Sequence, residues 1–505
     1  MNLRALLSSS QRGLLMLPWA ALVGLTLGAG PYGLSEEGAK ALLVAWSIGD
    51  AVASAAFTLG VPDVRVIFFL PLGFVWPGQV MAAKVLTLLV MAGAGVALYC
   101  WRRRDDQAEA ALLATGLLLI APLTVHGIDA LSAAPFLLAI AGAACWLNGL
   151  LSRESGKLGG SFFAQILSCA AAVSLHPAGL AYPAMLLFTW WRKPPDQRHR
   201  EYFLAGVPLA VLIALAMRQG WPGMAWGQNP VAAAAAVFSG GRNEGPLAAA
   251  DWLAGLPLLG LTAAVAWHER QRLFADLTGG TLLLGVLFGA AAADQTWGLL
   301  MLALMLYGGL PWLLRACAPL AGRGLMLQRG WLWLLLLLIC TAFMRTNKGN
   351  YEAGRHNFLS DQDQLISEFA EGVKNLRTGD AQGAGDNNAP AASKAPGGST
   401  APGGSTAPGG STMPGQPSRA ILVASSWPAR TSIACRCDGL PLPPAAKDPD
   451  SQLAMMRGVS YVIISDDAAN RALAINFAQL GSRIEVLSRE RAGAILQLKP
   501  GRAAP

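Results

Sequence analysis

The stretch Ala130–Leu151 reads ALSAAPFLLAIAGAACWLNGLL and carries no charged residue. About 20 such residues cross a bilayer as one helix, and only closed hydrogen bonding within the segment makes that crossing tolerable. Working outward in both directions, apolar runs recur from Gly13 to about Phe343. The predicted spans are 13–30, 80–101, 108–125, 130–151, 160–177, 178–191, 203–217, 251–267, 277–293, 297–314 and 330–344. The segment 64–78 is also apolar, but Pro71 and Pro77 interrupt it, so it is read as loop feeding the second span. With 505 residues, 53% hydrophobic and only 13% charged, the chain is excluded as a soluble globular protein.

Lysine and arginine placement sets the orientation. Arg4 and Arg12, Arg102-Arg103-Arg104, Arg153 and Lys157, and Arg192, Lys193, Arg198 and Arg200 fall in alternate loops. Arg270, Arg272, Arg315, Arg323 and Arg329 continue the series, while the opposite loops hold chiefly Lys40, Arg65, Arg218 and Arg242. The N-terminus is then cytoplasmic, and an odd number of spans puts everything after about residue 345 outside, in the periplasm of a bacterial inner-membrane protein. The net charge of +8 follows largely from this bias and fits anionic lipid, not nucleic acid, as partner. The fold expected is a polytopic α-helical membrane protein of about 11 transmembrane helices with a small C-terminal periplasmic α/β domain.

Four parts follow along the chain. Residues 1–345 form the transmembrane domain with a large first periplasmic loop, 31–79. Residues 346–378 are a polar juxtamembrane segment, in which Leu365, Ile366, Phe369 and Val373 at helical spacing predict a short amphipathic helix over 361–374. Residues 379–418 are a linker with Ala-Pro-Gly-Gly-Ser-Thr repeated from Ala395 to Thr412, expected to stay disordered because it buries too little apolar area. Residues 419–505 regain pattern: strands at 420–423, 461–464, 483–487 and 494–498, and a helix from Asp466 to Leu480. Cys435 and Cys437 lie in this outer part, where an oxidising compartment lets them pair.

The candidate chemistry lies at the outer ends of the spans. Glu36 and Glu37, in Gly33-Leu34-Ser35-Glu36-Glu37-Gly38-Ala39-Lys40, follow the first span. They read either as a solvated helix start capped by Ser35 or as a base that takes the proton of an acceptor hydroxyl or amine. Asp129, in Val125-His126-Gly127-Ile128-Asp129-Ala130, is a second acid beside hydrocarbon; the alternative is a cap for the fourth span. His126 is a weaker candidate, read as a metal ligand, an acceptor contact or a polar turn residue, and His176, before Pro177, reads as a structural residue or a substrate contact. Arg65, Arg218 and Arg242 are outer cations able to hold a phosphate leaving group, or to act as interfacial anchors. No phosphate-cradling glycine loop, nucleophile elbow or clustered metal motif appears. The cofactor is left open, a divalent cation being compatible with the residues.

These residues resemble the GT-C type of membrane glycosyltransferase, in the branch of the lipid A aminoarabinose transferase and the protein mannosyltransferases. Ser35-Glu36-Glu37-Gly38-Ala39 stands where that family carries an acidic pair, with Gly49-Asp50 at a similar offset. Pro71-Leu72 and Pro77, Ile128-Asp129-Ala130-Leu131, and His176-Pro177-Ala178-Gly179-Leu180 with Pro183 continue the likeness. The departures are a pair that begins with Glu and not Asp, and no lysine ahead of Pro71. The resemblance implies a polyprenyl-phosphate sugar donor, a lipid, glycan or protein acceptor, and transfer on the periplasmic side. Glu36 or Glu37 would be the base, with Asp129 a second acid. The alternative function is a non-catalytic membrane protein: a flippase, polysaccharide-export component or assembly scaffold.

Overall fold

The computed structural model describes residues 34–47, 64–76, 78–102, 108–151, 160–175, 337–348, 361–386, 421–467, 470–490 and 492–499, with single positions between 179 and 334. The chain divides into two compact units, Met1–Leu359 and Ser360–Pro505.

In the first unit, α1 (Glu36–Ser47) and α2 (Arg65–Val75) precede α3 (Val80–Arg102). Then come α4 (Ala108–Ile120), α5 (Pro122–Asp129), α6 (Ala133–Leu151) and α7 (Gly160–Leu175). A further helix, α8, spans 337–348. Among the described residues, Val80–Cys100 is long and apolar enough to cross a membrane, and the bent pair Ala111–Ile120 and Pro122–Asp129 qualifies if it is one broken span. The spans expected at 13–30, 178–191, 203–217, 251–267, 277–293 and 297–314 lie outside the described residues, isolated positions aside.

Two sequence expectations are corrected here. The segment 64–78 is not loop: Arg65–Val75 is helical with Pro71 inside it. Val66, Phe69 and Leu72 fall on one helical face and are buried. That packing outweighs the hydrogen bond the proline ring removes. Gly73 lets α2 touch α1, since a Cβ there would lie 2.3 Å from the Ala45 carbonyl oxygen. The second correction concerns 108–125, which is broken at Ala121 with a bend of 54° between α4 and α5. Pro122 has no N–H to give the Leu118 carbonyl. The Thr124 hydroxyl takes that place, donating to the Leu118 oxygen at 2.6 Å. The Ile120 carbonyl accepts from the amide of Asn347 on α8 at 2.8 Å. Polar groups freed at a kink in apolar surroundings must be bonded again in this way.

Helices α3 and α6 cross at small residues. A Cβ on Gly142 would meet the Leu98 side chain at 3.2 Å and the Ala94 carbonyl oxygen at 3.3 Å.

The second unit is an α/β domain: α9 (Asp361–Asp386), β1 (Leu422–Ser425), α10 (Pro428–Cys435), β2 (Asp438–Pro441), α11 (Pro449–Met455), β3 (Tyr461–Ser465), α12 (Arg471–Gln479), β4 (Ile484–Glu490) and β5 (Gly493–Leu498). The sheet order is β2-β1-β3-β5-β4. Strands β1, β2 and β3 are parallel, and β5 is antiparallel to both β3 and β4. On one face, Leu365, Phe369 and Val373 of α9 pack with Val423, Tyr461, Ile463 and Ile495. On the other, Leu473, Phe477 and Leu480 pack with Ala424, Val462, Ile464 and Leu496. The amphipathic stripe therefore belongs to the same unit as the sheet, where the sequence division set 346–378 apart. The helix also runs to Asp386, into the 379–418 stretch to which no structure was assigned. Extending a helix already nucleated needs only one residue ordered per hydrogen bond, which offsets the poor propensity of its glycines. A disulfide joins Cys435 to Cys437, with Arg436 between them in the left-handed region at φ 52°.

Candidate active site

Ser35 begins the site. Its hydroxyl oxygen accepts from the Gly38 N–H at 3.0 Å, capping α1 and leaving Glu36 and Glu37 in the first turn. The same hydroxyl donates to the Ala130 carbonyl oxygen at 3.0 Å, and the Ser35 N–H reaches that oxygen at 2.9 Å. The start of α1 is thus tied to the turn that follows Asp129. Gly38 makes the approach feasible, because a Cβ there would sit 2.6 Å from the Ala130 oxygen and 2.8 Å from the Leu131 oxygen. Leu131 takes φ 53°, a conformation disfavoured for a residue with a side chain.

Arg65 opens α2 and is 2% exposed. It donates from Nη1 to the Leu131 carbonyl oxygen at 3.0 Å. Its Nη2 lies 3.6 Å from Oε2 of Glu37, an ion pair beyond hydrogen-bonding distance, and the Glu37 side chain is 76% exposed. Phe68 and Phe69 pack against Phe136, fixing α2 on α6 beneath this turn.

Asp129 ends α5 and so does not cap the helix that follows. Its carboxylate pairs with the ammonium of Lys84, whose side chain is fully buried in the first turns of α3. A charge in such surroundings persists only when paired. His126 lies one turn before Asp129 on α5 and is half-buried. Glu36, Glu37, Arg65 and the 129–131 turn therefore share one end of the bundle, with Lys84 beneath Asp129. His176, Arg218 and Arg242 lie outside the described residues. Among the described residues no group of three or more His, Cys, Asp or Glu is placed to hold a metal ion.

Lys84 is the residue that sequence reasoning passed over. Its signal was a lysine four residues into an apolar span, where an ionisable group marks a partner or a function by default.

Comparison with solved structures places the chain in a GT-C-like class of membrane-protein fold. One structure that it matches is that of ArnT from Cupriavidus metallidurans bound to undecaprenyl phosphate. The match covers 99% of this chain and 100% of that chain at a TM-score of 0.50, with 13% sequence identity. At that identity the likeness is one of fold, and the chemistry has to be argued from the residues. No protein-family model matches the chain, and a search of curated proteins finds no match.

Proposed function

We propose that the protein is a multi-pass bacterial inner-membrane glycosyltransferase that moves a sugar from a polyprenyl-phosphate donor to a lipid, glycan or protein acceptor on the periplasmic side. One observation carries this reading. The Glu37 carboxylate is open to solvent, yet it stands beside a buried arginine at the turn holding Asp129. In this reading Glu37 takes the proton from the acceptor hydroxyl or amine as that group attacks the anomeric carbon. The bond from that carbon to the phosphate oxygen breaks, and polyprenyl phosphate leaves with the electron pair. Arg65 both orients Glu37 and stabilises the departing charge. Glu36 supports the acidic rim, and Asp129 keeps Lys84 neutralised beneath it. His126, His176, Arg218 and Arg242 are assigned to substrate contacts. The ArnT structure holds undecaprenyl phosphate, a lipid of the class proposed as the leaving group. The particular branch, with the lipid A aminoarabinose transferase and the protein mannosyltransferases, rests on the acidic pair and its flanking residues.

The test reconstitutes the full chain in lipid extracted from its host and follows lipid-linked sugars by mass spectrometry. Wild type is expected to consume a polyprenyl-phosphate sugar and release polyprenyl phosphate. Glu37→Gln is expected to slow this by roughly 100-fold to 10,000-fold, the range for loss of a general base. Unchanged transfer in Glu36→Gln, Glu37→Gln and Asp129→Asn, at normal expression, would favour the scaffold reading.

A further inference from the structure

In the C-terminal unit one short helix ties α9 down, and it ends in a covalent bond that the transfer reaction does not use. Helix α10 has eight residues, Pro428–Cys435, and both of its ends are engaged with α9. Near its start Arg430, 9% exposed, pairs with Asp363 and donates from Nη1 to Gln362 at 3.1 Å, with its guanidinium over the Trp427 ring. At its end Cys435 is buried in the same apolar layer as Leu365, Phe369 and Val373. Cys437, one residue before β2, packs against that layer. The disulfide between the two cysteines therefore lies in the floor beneath α9 and not on a free loop.

The two sulfurs differ in access. Cys435 is buried, while Cys437 is half-buried between the exposed Arg436 and Asp438. Thiol–disulfide exchange requires a thiolate to reach one of the sulfurs, so Cys437 is the one open to attack. A dithiol then reduces the bond in two steps. Its first thiolate bonds to Cys437 Sγ, and the electron pair of the broken S–S bond goes to Cys435 Sγ, which takes up a proton. Its second thiolate closes the reagent's own disulfide and releases Cys437, which takes up the second proton. Two electrons and two protons pass to the protein.

Opening the bond acts on α9 for two reasons. Arg436 sits at φ 52°, a conformation disfavoured for a residue with a Cβ, and the ring closed by the two cysteines helps to hold it there. Without that ring it relaxes toward negative φ and turns the end of α10 with it. Two separate thiols also fill more space than a bonded pair, and a close-packed layer resists the addition. Cys435 and Arg430 stand on the same short helix, so both ties shift together. What remains is the contact with the sheet, where Phe369 meets Tyr461 at 5.4 Å between ring centroids. We propose that the Cys435–Cys437 disulfide is a redox latch on α9: the oxidised bond holds the helix down, and reduction by a dithiol loosens it. The latch does not depend on the proposed transfer reaction.

The experiment compares the full chain in nanodiscs with and without millimolar dithiothreitol, the thiol state being fixed by alkylation and intact mass. The readout is amide hydrogen exchange in α9 against that in β3. Reduction is expected to speed exchange in α9 by about tenfold or more while β3 stays protected. Reoxidation is expected to restore the protection. Cys437→Ser is expected to show the fast exchange with or without reductant; should that variant fail to fold, the wild-type comparison decides alone. Three results would overturn the proposal. A bond that dithiothreitol leaves intact denies access to Cys437. Complete reduction with unchanged exchange in α9 denies the coupling. Loss of protection in β3 together with α9 makes the bond a staple of the whole unit and not a latch on one helix.

Discussion

Replacing Asp129 by Asn removes the carboxylate that faces a fully buried ammonium. Breaking one side of such a pair typically costs about 3–5 kcal/mol, because the remaining charge stays buried without its counterion. Against a total stability of roughly 5–15 kcal/mol, that is enough to lower the yield of folded protein. Lys84→Met with Asp129 intact leaves an acid that is partly exposed, its side chain at 24%, so the single loss is expected to be smaller. The double variant Lys84→Met/Asp129→Leu replaces both charges by apolar groups of comparable length. Exchanges of that kind are often neutral or stabilising. The assay is thermal unfolding of all four proteins in one detergent, read beside lipid-linked sugar consumption. The expected order of stability is wild type close to the double variant, then Lys84→Met, then Asp129→Asn. A double variant as unstable as Asp129→Asn would refute the reasoning, since the pair would then not be what holds Asp129. A stable double variant that loses transfer would show that these charges serve the chemistry as well as the fold.

Three further outcomes are expected. Gly38→Ala gains about 1 kcal/mol of helix propensity, yet its methyl would meet the Ala130 and Leu131 carbonyl oxygens at under 3 Å. Strain of about 1–3 kcal/mol is expected to outweigh the gain, and transfer should fall by at least tenfold; a more stable variant with full transfer would contradict the packing of α1 on the turn. A protease site placed between 387 and 420 should, once cut, leave the two pieces associated in the absence of denaturant. Leu365, Phe369 and Val373 hold α9 on the sheet, so prompt separation on gel filtration in detergent would count against that packing. Asp448 caps α11, and hydrogen bonds from the Ser451 N–H and then its hydroxyl hold the carboxyl below the ordinary aspartate value. A depressed carboxyl stabilises the fold above its unfolded value and loses that contribution as pH falls through the folded one. The difference in unfolding temperature between wild type and Asp448→Ala should therefore be largest near neutral pH and vanish in strong acid; a difference that grows on acidification would reverse the sign.

Much of this was readable from residue order. Ser35 before two glutamates is a helix-start signal, and the cap forms as expected. The strand at Tyr461–Ser465 is announced by its run of β-branched residues. The amphipathic stripe from Leu365 to Val373 was visible as well, but its partner was not, because a stripe shows that a face is buried and not against what. Pro71 and Pro122 were misjudged in opposite senses. The first sits within a helix held by its buried face of Val66, Phe69 and Leu72. The second breaks a span, because Thr124 and the distant Asn347 stand ready to bond the freed carbonyls. No local rule foresees a partner 227 residues away. Strand β2, Asp438–Pro441, has too little apolar pattern to announce itself and exists through its ladder with β1. In the site, the acids were found from their positions; Lys84 stood out as a lysine within an apolar span, but its partner Asp129, like the Leu131 carbonyl that Arg65 bonds, emerges only when α2, α3 and α5 are brought together.

Because α9 packs on the C-terminal sheet, the repeat-bearing tract runs from α9 to β1 within one unit, as a loop closed by that packing. The cost of closing such a loop grows only with the logarithm of its length, about 0.6 kcal/mol per doubling. Copies of Ala-Pro-Gly-Gly-Ser-Thr could then be added or lost with little effect on the fold.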